Sequence, residues 1–295
     1  NMIAKAWRLD VGRVPLYLLD TDIPENAEQD RSVTHQLYGG NWENRFKQEL
    51  LLGVGGIRLL EKLKITPSLY HLNEGHAAFI GLERLKDLVQ GERLTFDQAV
   101  EVVRSTSLFT THTPVPAGHD SFSEDLMRAY IPHYASRLNI SWEEFMSLGR
   151  FDEGDLSSNF SMSALASKLS QEINGVSRIH GRVTREMFNE MYEGYFPDEL
   201  HIGYVTNGVH YSTWTARSLQ RLYTKYFGTD FLNDVSDPKH WEKIKNVPDA
   251  ELWEERQKQK KQLMSFLHNR LSDDMTRREE NPKLIVRTLD SLNNE

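Results

Sequence analysis

No cysteine occurs among the 295 residues. That excludes a disulfide framework, a thiolate metal site and a cysteine nucleophile. Basic charge is also scarce: 35 Lys and Arg stand against 43 Asp and Glu, a net charge of −8. Nucleic acid and anionic membrane surfaces both require a basic footprint, so neither is expected as a partner. No apolar run reaches membrane-spanning length. The opening residues, Asn1-Met2-Ile3-Ala4-Lys5-Ala6-Trp7, lack the layout of a signal peptide. A cytoplasmic protein is the simplest expectation. No internal repeat or low-complexity tract is present. The run Gly53-Val54-Gly55-Gly56 is not a dinucleotide fingerprint, because the spacing fails and the glycines lie inside a helical pattern. Glycines there suit close helix packing.

What is present is globular. Apolar residues make up 39% and aromatic residues 10%, enough for a core, and the length suits two domains. Residues 1–210 mix short apolar runs with helical periodicity, whereas 211–295 are charge-rich and mostly helical. In the first region Val14 to Asp20 reads as a strand, and Arg45 to Lys64 as a helix with Leu51, Val54, Ile57 and Leu60 on one stripe. Strands are expected at 69–72, 107–112, 173–176 and 201–205. Thr95-Phe96-Asp97-Gln98 and Ser141-Trp142-Glu143-Glu144 are capping boxes that should open helices. Alternating strands and helices imply an α/β fold with a mainly parallel sheet. In the second region a charged helix runs from about Asp249 to Leu271 and is closed by Pro282. Its basic run, Arg256 to Lys261, reads as a solvated face. Tyr223 and Tyr226 read as core.

Ligands of open α/β sheets bind beyond the carboxyl ends of the strands. Three ends carry Asn73-Glu74-Gly75-His76, Thr110-Thr111-His112-Thr113-Pro114 and Thr206-Asn207-Gly208-Val209-His210. Short neutral donors and acceptors match the hydroxyl inventory of a sugar. Each also has a structural reading: His112 as a hydrogen-bonded histidine, Asn207-Gly208 as a turn dipeptide, Glu74 as a helix cap. His119-Asp120 reads as a polar loop. His71, Glu74 and His76 do not form a helical i, i+4 ligand pair, so no metal site is expected.

The stretches Tyr70-His71-Leu72-Asn73-Glu74-Gly75-His76-Ala77-Ala78-Phe79, Phe109-Thr110-Thr111-His112-Thr113-Pro114-Val115-Pro116, Asn174-Gly175-Val176-Ser177-Arg178-Ile179-His180 and Thr206-Asn207-Gly208-Val209 resemble signatures of the α-glucan (glycogen/maltodextrin) phosphorylase family. Arg45-Phe46-Lys47-Gln48-Glu49 fits a further block. They run in the family's order across residues 40–215, in the form of the bacterial and archaeal branch, where the loop after Leu37-Tyr38 is short. The resemblance implies a Rossmann-like, GT-B type sheet, followed by a helical segment entering a second domain. It implies phosphorolysis of an α-1,4-glucan to glucose 1-phosphate, with pyridoxal 5′-phosphate as cofactor.

By that resemblance His112 is catalytic and contacts the sugar near the reaction centre. Asn207 bonds the 6-hydroxyl, Glu74 stands where the better-known members have aspartate, and Asn73, His76 and Thr113 line the same cleft. Asp120 falls near the acceptor sugar, where some members have glutamate. The family's cofactor lysine sits in a Gly-rich block for which this sequence has no counterpart, and its phosphate-holding Arg and Lys are expected beyond Glu295. The chain therefore reads as an interior slice, 1–210 from the first domain and 211–295 a linker into the second, with no cofactor expected on it. Its partners would be glucan, phosphate and the missing domain. Two rivals stand beside this reading. One is a nucleotide-sugar glycosyltransferase of glycogen-synthase type, though no Lys-x-Gly-Gly-Leu is present; the other is a non-catalytic glucan-binding module.

Overall fold

The computed structural model describes residues 2–37, 39–115 and 118–292. Tyr38 and Pro116, which belong to stretches named above, and Ala117 lie outside the described residues. The chain divides into two compact units, 1–207 and 208–295.

The first unit opens on an antiparallel hairpin of β1 (Lys5–Val11) and β2 (Val14–Asp20). Only β2 was expected. The alternation in Lys5-Ala6-Trp7-Arg8-Leu9-Asp10-Val11 sets Trp7, Leu9 and Val11 opposite Leu18, Leu16 and Val14, so cross-strand apolar pairs define the ribbon. Then come β3 (Tyr70–Asn73), β4 (Ser107–Thr110), β5 (Ser121–Phe122), β6 (Phe160–Ser161), β7 (Glu172–Gly175) and β8 (Ile202–Tyr204). The strands β3, β4, β7 and β8 form a parallel sheet in the order β3-β4-β7-β8. Helices Phe79–Gln90, Phe96–Ser105, Met162–Lys168 and Arg178–Phe188 fall between them in sequence. This is the α/β arrangement read from the sequence. Both capping boxes are made, at Thr95 and Ser141.

The helix expected over Arg45 to Lys64 is Trp42–Leu50 and Gly56–Lys62, joined by a π-helical turn at Leu51–Gly55. The widened turn brings Gly53 against the start of the helix Phe79–Gln90. A β-carbon there would lie 2.7 Å from Phe79 Cβ and 2.8 Å from the Ile80 nitrogen. The core beneath is aromatic: Phe46, Phe79, Phe122 and Phe160 are buried, with Phe46 and Phe122 edge to face at 4.9 Å.

The second unit is helical, with helices Arg217–Phe227, Asp249–Arg277 and Pro282–Ser291. Its small core is Tyr211, Phe227 and Phe231 with Tyr223 and Trp241 around them. Tyr226 also packs on this core, and its hydroxyl donates to Glu251 at 2.5 Å. Pro282 does not close the charged helix. That helix runs to Arg277, and Pro282 takes the first position of a new helix capped by Asn281, where its missing N–H costs nothing. Among the described residues no helix is long and apolar enough to cross a membrane.

Candidate functional site

At the carboxyl edge of the parallel sheet lies a cleft of about 820 Å³. Asn73, Glu74, His76, His112, Thr113 and Asp120 line it. Parallel register explains the gathering: Asn73 pairs with Thr110, so the residues after β3 and after β4 leave the sheet side by side.

Glu74 organises this edge. Its carboxylate accepts from the Gly75 N–H (3.3 Å), the Thr111 hydroxyl (3.2 Å), the His112 N–H (2.7 Å) and the Thr113 hydroxyl (3.1 Å). Four donors fill the acceptor capacity of a carboxylate. Its backbone has φ +79° and ψ 167°, a region that side chains other than glycine occupy only under strain, at a cost on the order of 1–3 kcal/mol. The loop bonds offset that cost. His112 Nε2–H donates to the Asn73 carboxamide oxygen at 2.7 Å, which orients the ring so that the neutral imidazole has its lone pair on Nδ1.

A second layer holds this loop to β7. His71 and Thr110 bond at 2.8 Å, and the Thr110 hydroxyl donates to Asn174 Oδ1 at 3.0 Å. Buried His180 accepts from the Val176 N–H at Nδ1 (3.1 Å), which puts its proton on Nε2, and Nε2 donates to the Thr113 carbonyl at 3.2 Å. Asn207 follows β8 on the same sheet edge. Its N–H donates to the Val176 carbonyl at 3.2 Å, and it is not among the residues lining the cleft. His119 Nδ1 bonds the Ser163 hydroxyl at 2.6 Å, and burial lowers its affinity for a proton.

The far wall comes from the helix after Asn41, whose side chain caps it by accepting from the Asn44 N–H at 3.0 Å. Trp42 and Arg45 line the cleft; sequence reasoning did not single them out as site residues, although Arg45 stood in a recognised block. Arg45 donates to Asp120 at 2.6 Å and to Glu49 at 3.2 Å, and His76 Nδ1 lies 3.4 Å from Asp120. Burial opposes the ionisation of Asp120, but the His76 hydrogen bond and the Arg45 charge outweigh it and hold the carboxyl down at about 2. Glu49 is pushed up to about 9, first by burial and then by the Asp120 charge, against the pull of Arg45. Glu49, His76 and Asp120 each bring a ligand-type atom within 4.8 Å of the others, but the cation bonded to both carboxyls is the Arg45 guanidinium. His71, Glu74 and His76 bond to separate partners and do not converge.

The family model for carbohydrate phosphorylases matches residues 60–280. The chain belongs to this family. It is 43% identical over 279 residues to the glycogen phosphorylase of Mycobacterium tuberculosis, covering 91% of this chain and 32% of that protein. The maltodextrin phosphorylase of Thermococcus litoralis is 40% identical over 270 residues, 92% of this chain and 32% of that protein. The glycogen phosphorylase of Aquifex aeolicus is 32% identical over 280 residues, 95% of this chain and 40% of that protein. The chain thus spans about a third of the length of the first two relatives. In this carbohydrate phosphorylase chain the four stretches that carry the resemblance meet at one sheet edge, linked through Glu74, His180 and Val176.

Proposed function

We propose that the chain is the sugar-side portion of an α-glucan phosphorylase acting in the cytoplasm, an enzyme that releases glucose 1-phosphate from an α-1,4-glucan with inorganic phosphate. The observation that carries this is the cleft edge itself: a histidine fixed in one tautomer by Asn73, on a loop tied by four hydrogen bonds to one carboxylate. The names of the relatives supply the glucan. In this reading 1–210 is the later part of the first domain, and 211–295 leads toward the second.

Each residue has a task. His112 meets the reacting sugar through its free ring nitrogen. Thr113 and Asn73 bond hydroxyls, with Asn73 also orienting His112. His76 and Asp120 line the acceptor side, where an ionised Asp120 accepts from sugar hydroxyls. Asn207, after β8 and outside the residues that line the cleft, is assigned to the 6-hydroxyl. Glu74 spends its acceptors on the loop, so its contribution is to hold His112 and Thr113 in place.

The enzyme's pyridoxal 5′-phosphate requires a lysine for its covalent link. None of the described residues lining the cleft is a lysine. The residues present do not fit that group, and we assign it to the remainder of the enzyme.

Two measurements test the proposal. In the full-length polypeptide that carries this chain, His112→Ala should slow glucan phosphorolysis by about 2–4 kcal/mol of transition-state stabilisation with little change in melting temperature. Turnover equal to that of the unmodified enzyme would refute it. The isolated chain mixed with maltodextrin and phosphate should yield no glucose 1-phosphate, and appreciable turnover would contradict the division of labour.

A further inference from the structure

Arg45 sits between two carboxyl groups that are not equivalent. The Asp120 contact is 2.6 Å and the Glu49 contact 3.2 Å. Short contacts mark charge-assisted pairs, and the longer one has the length of a guanidinium donating to a neutral acceptor. Glu49 is also the more deeply placed, with 1% of its side chain exposed against 18% for Asp120. Its Oε2 is buried and accepts no hydrogen bond, and the neighbour within reach is the Asp120 carboxylate, to which only a protonated Glu49 can donate. An anionic oxygen left bare in such a place is far costlier than a carboxylic acid O–H. Among the described residues, the charged and titratable groups facing Glu49 are Arg45 from its own helix, His76 from the turn after β3, and Asp120 from the segment entering β5. Two ionised carboxylates this close would compete for one guanidinium.

We propose that Glu49 is a positioning residue of the cleft that works as the neutral acid: its Oε1 steadies Arg45 from behind while leaving the cation's charge to Asp120, whose carboxylate is thereby fixed in the cleft wall. Burial of Glu49 and the neighbouring Asp120 charge both favour the protonated form, with ionisation only near pH 9. Above that, Glu49 becomes a second anion on Arg45 and the Asp120 contact slackens. The π-helical turn that begins two residues after Glu49 belongs to the same construction, since it sets the helix carrying Arg45 and Glu49 tightly against Phe79. The role in sugar binding rests on the function proposed above; the proton and the Arg45–Asp120 bond do not.

The test is a carbon-13 titration of the intact chain, labelled at its Asp and Glu carboxyls, with Glu49→Gln and Asp120→Asn assigning the signals. One glutamate signal, missing in Glu49→Gln, should keep its protonated position from pH 5 to 8 and move only near pH 9. The Asp120 signal should stay ionised down to about pH 2 in the unmodified chain and in Glu49→Gln, where a neutral acceptor replaces a neutral acceptor. In Glu49→Ala its midpoint should rise toward the ordinary aspartate range. A Glu49 signal that titrates between pH 4 and 5 overturns the proposal, as does a Glu49→Gln chain that displaces Asp120 as far as Glu49→Ala does. If Glu49→Ala does not fold, the first two chains still decide. A failed His112→Ala experiment would remove the sugar reading and leave this titration unaffected.

Discussion

At the scale of single residues, Glu74 separates a helix cap from a site organiser. Capping alone would use one acceptor, for the Gly75 N–H. The carboxylate instead also binds three donors from the loop after β4, and it does so from a strained backbone. Glu74→Gln keeps the shape but turns an acceptor oxygen into a donor facing donors. It should destabilise the chain by about 1.5–3 kcal/mol, the range for hydrogen bonds to a charged group. Urea unfolding reads this directly, and an unchanged midpoint would show that the loop holds itself. Glu74→Asp, one methylene shorter, restores the charge and should recover part of the loss.

At the scale of elements, the glycine run before the site has two positions with opposite expectations. At Gly53 an added methyl group meets the Phe79 side chain and the backbone of Ile80 below 3.0 Å. Gly53→Ala should therefore cost about 1–3 kcal/mol through overpacking. At Gly56, with helical φ −60° and nothing within 4 Å of the added atom, alanine should stabilise by about 0.5–1 kcal/mol. Thermal melts of the two variants shifting in the same direction would contradict the packing argument.

The same stretch shows what the sequence could reveal. Helical periodicity and a place for close packing were legible, because apolar spacing and missing side chains are local facts. The π-helical turn was not, since it depends on what Gly53 touches. Strand ends bearing Asn73, His112 and Asn207 were legible from alternation and turn residues. Arg45 and Glu49 were visible only as part of a block. Their role needs Asp120, 75 residues from Arg45 along the chain and placed by the β5–β6 pairing. Pro282 misled because a proline stops one helix and starts another with equal ease.

At the scale of the whole molecule, the two units differ in how much they bury. The first packs interlocking phenylalanines between a parallel sheet and its helices. The second has Tyr211, Phe227 and Phe231 as its buried aromatic cluster, and its helix Asp249–Arg277 has no buried residue among those described. Ion pairs such as Lys258 with Glu254 lie along that helix, but exposed pairs contribute little. Helices take most of their stability from a packed face. Calorimetry of the chain should resolve two transitions, the smaller unit melting at the lower temperature with the smaller enthalpy. Phe231→Ala removes a fully buried ring and should lower only the first transition, whereas Phe79→Ala should lower only the second, each by about 3–5 kcal/mol in its own unit. A single transition displaced equally by both substitutions would mean that the units fold as one cooperative body, and that the helical segment draws its stability from the sheet rather than from its own aromatic cluster.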